Sequence, residues 1–474
     1  LELAAGVSVG PVLFLRAHEG EAVRLALIVS GEEGFAAGPL TTALGSWEAE
    51  PLARRLGLDV VRYTFAVPAE ASAWYEFGGT RYAVNADFTG DCRVAFVSCN
   101  GQEHGDEGRE EDERNLMWRR LADRHRAAPF NLMLHGGDQI YADEVTHVHS
   151  ASKDWPDEVS EIDEDERHSL AEALRDGFFR RYAAQFAHAD FAWAAARIPS
   201  LAMWDDHDIC DGWGSLRSEK LDSAVGVTLF EVAREMALLF QFGARADEVP
   251  TICPDRSGES LGWRVALPGL TVVAPDLRSE RRRDRVMGRA GWAGFRASMA
   301  DAEGKVIVVS SVPALGPRLS LVERMMRLTP WMEQYEDDLR DQWQSYRHRE
   351  EWADFLATMM DAHEREGTSV TVVSGEIHLA TRATMATDAG DLHQLVASGI
   401  SHPAPPTAYA TVLGMLATLG EAPLPGHPIR IVPLPGHKAR YKAERNFLVL
   451  ERAGGAWSAV WDLEESGPTE PLPI

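Results

Sequence analysis

Six short runs along the chain, "RVAFVSC", "FNLMLHG", "IPSLAMW", "LTVVAPDL", "KVIVVSSV" and "SVTVVSG", are apolar at nearly every position and end in polar or glycine turns. A strand with one wet face alternates apolar and polar residues, whereas a strand covered on both faces reads as an unbroken apolar run. The six are therefore predicted as central strands. Longer amphipathic segments lie between them, the texture of a layered α/β architecture. In "DSAVGVTLFEVAREMALLFQFG", Leu229, Val232, Met236 and Phe240 share one helical stripe, with Asp222 or Ser223 able to cap its start and Gly243 its end. "EWADFLATMMDAHERE" reads as a further amphipathic helix with His363 at its solvent edge.

Before residue 89 the pattern differs: "VLFLRA", "AVRLALIVS", "DVVRYTFAV" and "TRYAVNADF" are β-like runs broken by glycine and acidic turns. They predict an amino-terminal β-sandwich accessory domain over residues 1–88, with the chemistry left to residues 89–474. It contains no cluster of acids and histidines. Past residue 400, proline and glycine dominate in "SHPAPP" and "PLPGHP"; the strand-like "IRIVPL", "NFLVLER" and "AWSAVWDL" that follow are expected to close the second sheet.

Composition narrows the partners. The chain has 474 residues, 45% of them apolar, enough to fill a sizeable globular core. A formal charge of −26 repels nucleic acid and anionic lipid and attracts cations, so a small-molecule substrate is expected. Four cysteines are too few for a disulfide framework and match no paired zinc-finger spacing. No apolar stretch approaches the ~18 residues of a spanning helix. A cytoplasmic chain is expected; because the sequence does not begin with methionine, a removed leader, and with it a periplasmic or secreted address, stays open. Oligomeric state is not legible.

Open α/β sheets carry their chemistry in loops at the carboxyl ends of strands. Here the first run stops at Ser98, Cys99 and Asn100, the second at Gly136, Gly137, Asp138 and Tyr141, the third at Asp205, Asp206, His207 and Asp208, and a later one at Gly375, Glu376 and His378. Each end alone has a structural explanation: "GGD" is a tight turn, "DDHD" a solvated loop, Cys99 a small buried residue, His378 a satisfied core histidine. The conjunction points elsewhere. Several carboxylates at one buried crevice repel one another until most take up protons, unless a multivalent cation holds them. Asp138 can bridge two cations with its two oxygens, and Tyr141 can offer a phenolate to one of them.

"GDQIYAD", "WDDHD" and "SGEIHLA", with the lesser "SCN", "APDLRSERRRD" and "DQWQSYRHR", resemble the motifs of the PhoD-type phosphatases, a branch of the calcineurin-like metallophosphoesterases, over roughly residues 91–400. The tyrosine of GDxxY belongs to the subset shared with purple acid phosphatases. The resemblance implies a four-layer αββα sandwich and metal-dependent hydrolysis of phosphate monoesters or diesters, of alkaline phosphatase or phosphodiesterase type, by hydroxide at a two-metal site. It implies that a first ion takes Cys99, Asp138, Tyr141 and His378, and that a second shares Asp138 and adds Asp206 and Glu376. His207 matches the histidine that donates to phosphate or protonates the leaving oxygen. Asp205 would support these ligands or bind a further cation. Asn100, Arg278 and Arg281 are candidates to hold phosphate oxygens. Iron(III) with calcium is implied, with manganese, magnesium or zinc as the other candidates. From "SGISHP", the resemblance also places His402 in the pocket lining.

The chain departs from the superfamily pattern. Ser98, Cys99 and Asn100 stand where many members have Asp-x-His, "GEIH" stands where they have Gly-His-x-His, and "VVSSVPALG" lacks their upstream histidine. Fewer imidazoles and more carboxylates imply a harder second ion. Two other classes remain open: a di-metal oxidoreductase and a non-catalytic metal-dependent binding protein. A serine hydrolase is disfavoured, since neither Ser374 nor Ser398 sits in a G-x-S-x-G context. The basic "RSERRRDR" either draws anions locally or is a solvated loop.

Overall fold

The structure is a computed structural model that describes residues 9–102, 104–316 and 343–474. The six apolar runs are all strands: Cys92–Val97, Leu132–Gly136, Ser200–Met203, Leu270–Ala274, Gly304–Ser310 and Thr368–Ser374. The first three pair in parallel within an eleven-stranded sheet; the last three pair in parallel within an eight-stranded one, which Gly390–Val396 extends. Because neighbours in each set run the same way, their carboxyl ends share one edge of each sheet.

The sheets lie face to face, joined by tryptophans whose indole N–H groups reach carbonyls of the opposite sheet. Trp263 donates to Ala202 O at 2.7 Å and Trp461 to Val396 O at 2.8 Å. Helices Leu116–Ala127, Ala189–Ala195 and Ala224–Phe242 pack on the outside of the larger sheet, and Arg289–Ala300 and Arg349–His363 on the outside of the smaller. The result is the helix–sheet–sheet–helix layering that buries both faces of every central strand. Helix Ala224–Phe242 starts on the Ser223 hydroxyl, which accepts the Gly226 N–H at 3.0 Å, and stops at Gly243 in the left-handed conformation (φ 56°). Among the described residues, no helix is long and apolar enough to cross a membrane.

The amino-terminal strands form two layers, as a sandwich requires, with Phe65 packed between Trp47 and Tyr75 across them. One of those layers is the end of the eleven-stranded sheet. Val12–Glu19 pairs in parallel with Ser200–Met203, aligning Phe14 with Ser200, so a single sheet runs across the boundary expected at residue 88. Of the strands expected to close the second sheet, Ile429–Val432 does so, whereas Asn446–Ala453 and Ala456–Leu463 join the larger sheet beside Cys92–Val97. A strand's own pattern states which face is buried but not which edge it pairs with. His363 is also relocated: it is buried, and its Nδ1 accepts the Val370 N–H at 3.0 Å, tying the helix end to the strand beneath.

Candidate metal centre

Three groups of ligand-type atoms lie at the shared strand edge, each within 4.8 Å of one another: Cys99, Asp138 and His378; Asp138, Asp205 and Asp206; Asp206, His207 and Asp211. Asp138 belongs to the first two and Asp206 to the last two, so the groups form a continuous chain. Tyr141 completes the first, its hydroxyl 2.7 Å from His378 Nε2. The structure thus brings together Cys99, Asp138, Tyr141, His378, Asp205, Asp206 and His207. Glu376 sits two residues before His378 on the same turn, half-buried, and joins none of the three groups. Its backbone N–H faces the Cys99 sulfur instead.

Backbone conformation explains why these side chains converge. Cys99, Asp138, Glu376 and His378 all have positive φ, between 52° and 67°, and Leu56 is the other non-glycine with positive φ among the described residues. Left-handed backbone costs a residue with a Cβ of order 1 kcal/mol and persists only where the surroundings hold it. It turns the Cys99, Asp138 and His378 side chains out of the strand direction and towards one another. Adjacent glycines make room for the close approach. A Cβ on Gly101 would overlap the Tyr141 ring, one on Gly137 would press on Asp205, and one on Gly375 would strike the Ser98 hydroxyl.

The electrostatics are those of a site short of positive charge. Asp138 is 1% exposed and its Oδ1 has no hydrogen-bond partner. Burial and the neighbouring Asp205 push its carboxyl well above the usual range. Burial, with Asp138 adding to it, pushes the Cys99 thiol up as well. Burial and the adjacent His402 and His207 hold the His378 imidazole well below its ordinary value, which leaves its ring nitrogen a lone-pair donor. A buried carboxylate oxygen with no partner, a thiol and a neutral imidazole within reach of one another fit a bound cation. Carboxylates of the second group fit a hard cation beside it.

Arg278 is wholly buried and ion-paired to Asp205, with Asp206 3.3 Å away; its Nη1 also donates to Trp213 O at 3.1 Å. The Ser311 hydroxyl donates to the same Asp205 oxygen at 2.7 Å. The expected phosphate fork is therefore engaged by the acids, because a buried guanidinium needs a counter-charge more than an open cleft. Arg281 is buried against Gly214, while Arg282 pairs with Asp222 at the surface. Asn100 is better placed to donate. Its Oδ1 accepts from Trp118 Nε1 (2.6 Å), Gln185 Nε2 (3.1 Å) and Ser401 Oγ (3.2 Å), and its buried Nδ2 has no partner. Of "DQWQSYRHR", Asp341 and Gln342 lie outside the described residues; Trp343 is buried against Phe355, in packing rather than in the site.

Four rings form a wall along the first group: His207 stacks on Tyr141 (4.2 Å between centroids), Tyr141 on His402 (5.0 Å) and His402 on His378 (3.7 Å). His402 thus lies where "SGISHP" suggested. His207 Nδ1 is 2.9 Å from Asp143, whose other oxygen accepts the Asp211 N–H at 2.5 Å. Burial works to lower the His207 pKa, but Asp143, Asp206 and Asp138 outweigh it and hold the ring well above its ordinary value. Asp143, Asp211 and Ser311 were not singled out from sequence, and Ser398 was weighed only as a nucleophile and set aside. Asp143 lay inside "GDQIYAD", two residues after Tyr141; Ser311 and Ser398 lay just past two further strand ends, where the reading of the others would have found them.

Comparison with known proteins gives the family and the fold. The family described as PhoD related phosphatase matches residues 59–333, more than half of the chain. The Saccharomyces cerevisiae protein YGR266W, itself uncharacterized, is 21% identical over 358 residues, 62% of this chain and 50% of that protein. The chain thus spans about half the length of the curated relative it matches. The solved structure of PhoD is similar in fold, with TM-score 0.58 and 12% identity over 99% of this chain and 89% of that one. So is purple acid phosphatase PPD1 from yellow lupin (Lupinus luteus) seeds, with TM-score 0.55 and 10% identity over 99% and 74% of the two chains.

Proposed function

The chain belongs to the PhoD related phosphatase family, and from that premise we propose that it hydrolyses small phosphate esters at the crevice around Asp138 with the help of bound metal ions. One observation carries the reading: two ligand groups meet at Asp138, whose unpartnered, buried oxygen is available to a second cation. Cys99, Asp138, Tyr141 and His378 would hold one ion; Asp138 and Asp206, supported by Asp205 and Glu376, would hold the other. Thiolate and phenolate donors suit iron(III), and the carboxylates suit calcium, magnesium or manganese. When bound, such ions supply positive charge to phosphoryl oxygens and lower the pKa of water to about 7.

The residues around the ions have separate tasks. Asn100 Nδ2 donates to a phosphoryl oxygen, its orientation set by the three donors on its Oδ1. His207, held by Asp143 at Nδ1, keeps Nε2 for the departing oxygen and delivers the proton that oxygen needs. The stacked rings of Tyr141 and His207 form one wall of the crevice and restrict the acid to one direction. The net charge of −26 favours small esters over polynucleotides.

The test is elemental analysis of protein purified without chelator, paired with assays on p-nitrophenyl phosphate and its bis-ester. Turnover of either with redox-inert ions in place supports the reading and separates it from a di-metal oxidoreductase. Metal-loaded protein that turns over neither substrate leaves a binding protein.

A further inference from the structure

Ser398 follows the strand Gly390–Val396 of the smaller sheet, while Cys99 follows Cys92–Val97 of the larger. The Ser398 Oγ is 3.1 Å from Cys99 Sγ and also accepts the backbone N–H of His378 at 2.9 Å. One oxygen therefore touches two of the residues assigned to the same ion. We propose that Ser398 is a positioning residue for that ion: it fixes the turn that aims His378 and donates its hydroxyl hydrogen to the Cys99 sulfur, tempering how strongly the thiolate donates to the metal. The inference rests on the proposed metal centre.

The direction of each hydrogen bond follows from proton counting. The His378 N–H can only donate, so the Ser398 oxygen accepts there. A metal-bound cysteine carries no proton, so the one hydrogen in the Ser398–Cys99 contact is the hydroxyl's. The backbone that carries Ser398 is held in place. It is wholly buried, its carbonyl accepts from Asn446 Nδ2 at 2.8 Å, and the carbonyl of Ala397 before it accepts from the Ser98 hydroxyl at 3.0 Å. His378 needs the support, since its backbone is left-handed (φ 52°). The Ser98 side chain and the Glu376 N–H also face the sulfur, so donors converge on an atom that, as a neutral thiol, would be a weak acceptor.

Hydrogen bonds to a ligating sulfur draw off electron density and raise the energy of sulfur-to-metal charge transfer. The full chain is stripped of metal and reloaded with cobalt(II) alone, which reports a thiolate ligand by a near-ultraviolet charge-transfer band. Wild type, Ser398→Ala, Ser398→Thr and Cys99→Ser are compared for band position and cobalt affinity. The band is expected in wild type, absent in Cys99→Ser, shifted to longer wavelength in Ser398→Ala with affinity reduced about 10- to 100-fold, and restored in Ser398→Thr, which keeps the hydroxyl. A Ser398→Ala band and affinity equal to wild type would overturn the inference while Cys99→Ser still loses the band. So would an equal shift in Ala and Thr, which would assign the effect to packing. A band that survives Cys99→Ser would overturn the metal centre and this inference with it.

Discussion

His207 and Asp143 lie on different loops, and the histidine Nδ1 sits 2.9 Å from the carboxylate. Asp143 also accepts the Asp211 N–H at 2.5 Å, and Ala142 N donates to His207 O at 2.8 Å, so the GDxxY loop and the DDHD loop are stitched together around the ring. The arrangement commits Nδ1 to Asp143 and leaves Nε2 for the proposed proton transfer.

His207→Ala should keep its metal and lose turnover by about 10²- to 10⁴-fold, the usual range for a proton donor. Asp143→Asn should lose less, and selectively: alkyl phosphates, whose leaving oxygen needs the proton, should suffer more than p-nitrophenyl phosphate. Steady-state kinetics on both substrates with metal content measured in parallel decides it; equal loss on both would remove His207 from the proton transfer.

Asp138→Asn and Tyr141→Phe should each deplete bound metal, Asp138→Asn the more because it serves both ligand groups. Elemental analysis of each variant is the measurement, and full occupancy in both would contradict the proposed ligand sets.

Gly101→Ala places a Cβ inside the volume of the Tyr141 ring, which is 2% exposed and held by stacking on His207 and His402. Overpacking of this kind costs about 1–3 kcal/mol. Thermal unfolding should show the loss, and activity should fall further than stability alone accounts for, because the displaced ring carries the hydroxyl proposed as a metal ligand.

Stability should fall on the acid side. Burial lowers His125 from its model-compound value of 6.5 to about 4, and its Nδ1 accepts the Phe130 N–H at 3.1 Å. The folded pKa lies below the unfolded one, so the stability is fully present above pH 6.5 and is lost as pH falls towards about 4, the loss by then amounting to roughly 3 kcal/mol. Urea unfolding at pH 7 and pH 4.5 should show a smaller acid loss in His125→Gln than in wild type.

Much of the centre was legible because its chemistry sits at strand ends. An unbroken apolar run announces a strand covered on both faces, and parallel packing sends the residues after each run to one edge; hence Cys99, Asp138, Asp206 and His378 could be expected together. Arg278 was harder to place. A guanidinium reads the same in sequence whether it faces substrate or a carboxylate, and only Asp205 and Asp206 beside it showed that it faces acids. His363 likewise differs from a solvent-edge histidine only through Val370, whose N–H it accepts from the strand below.

By itself the sequence determined the six central strands, the capped helix from Ser223 to Gly243 and the set of ligand-type side chains, because all of these follow from local periodicity and residue chemistry. Tertiary structure alone decided that Val12–Glu19 extends the larger sheet, that Asn446–Ala453 joins it beside Cys92–Val97, and that the Ser398 hydroxyl reaches both Cys99 and His378. Those are pairings between residues up to several hundred positions apart. A backbone edge or a hydroxyl carries no local mark of its partner, which exists only once the two sheets have packed.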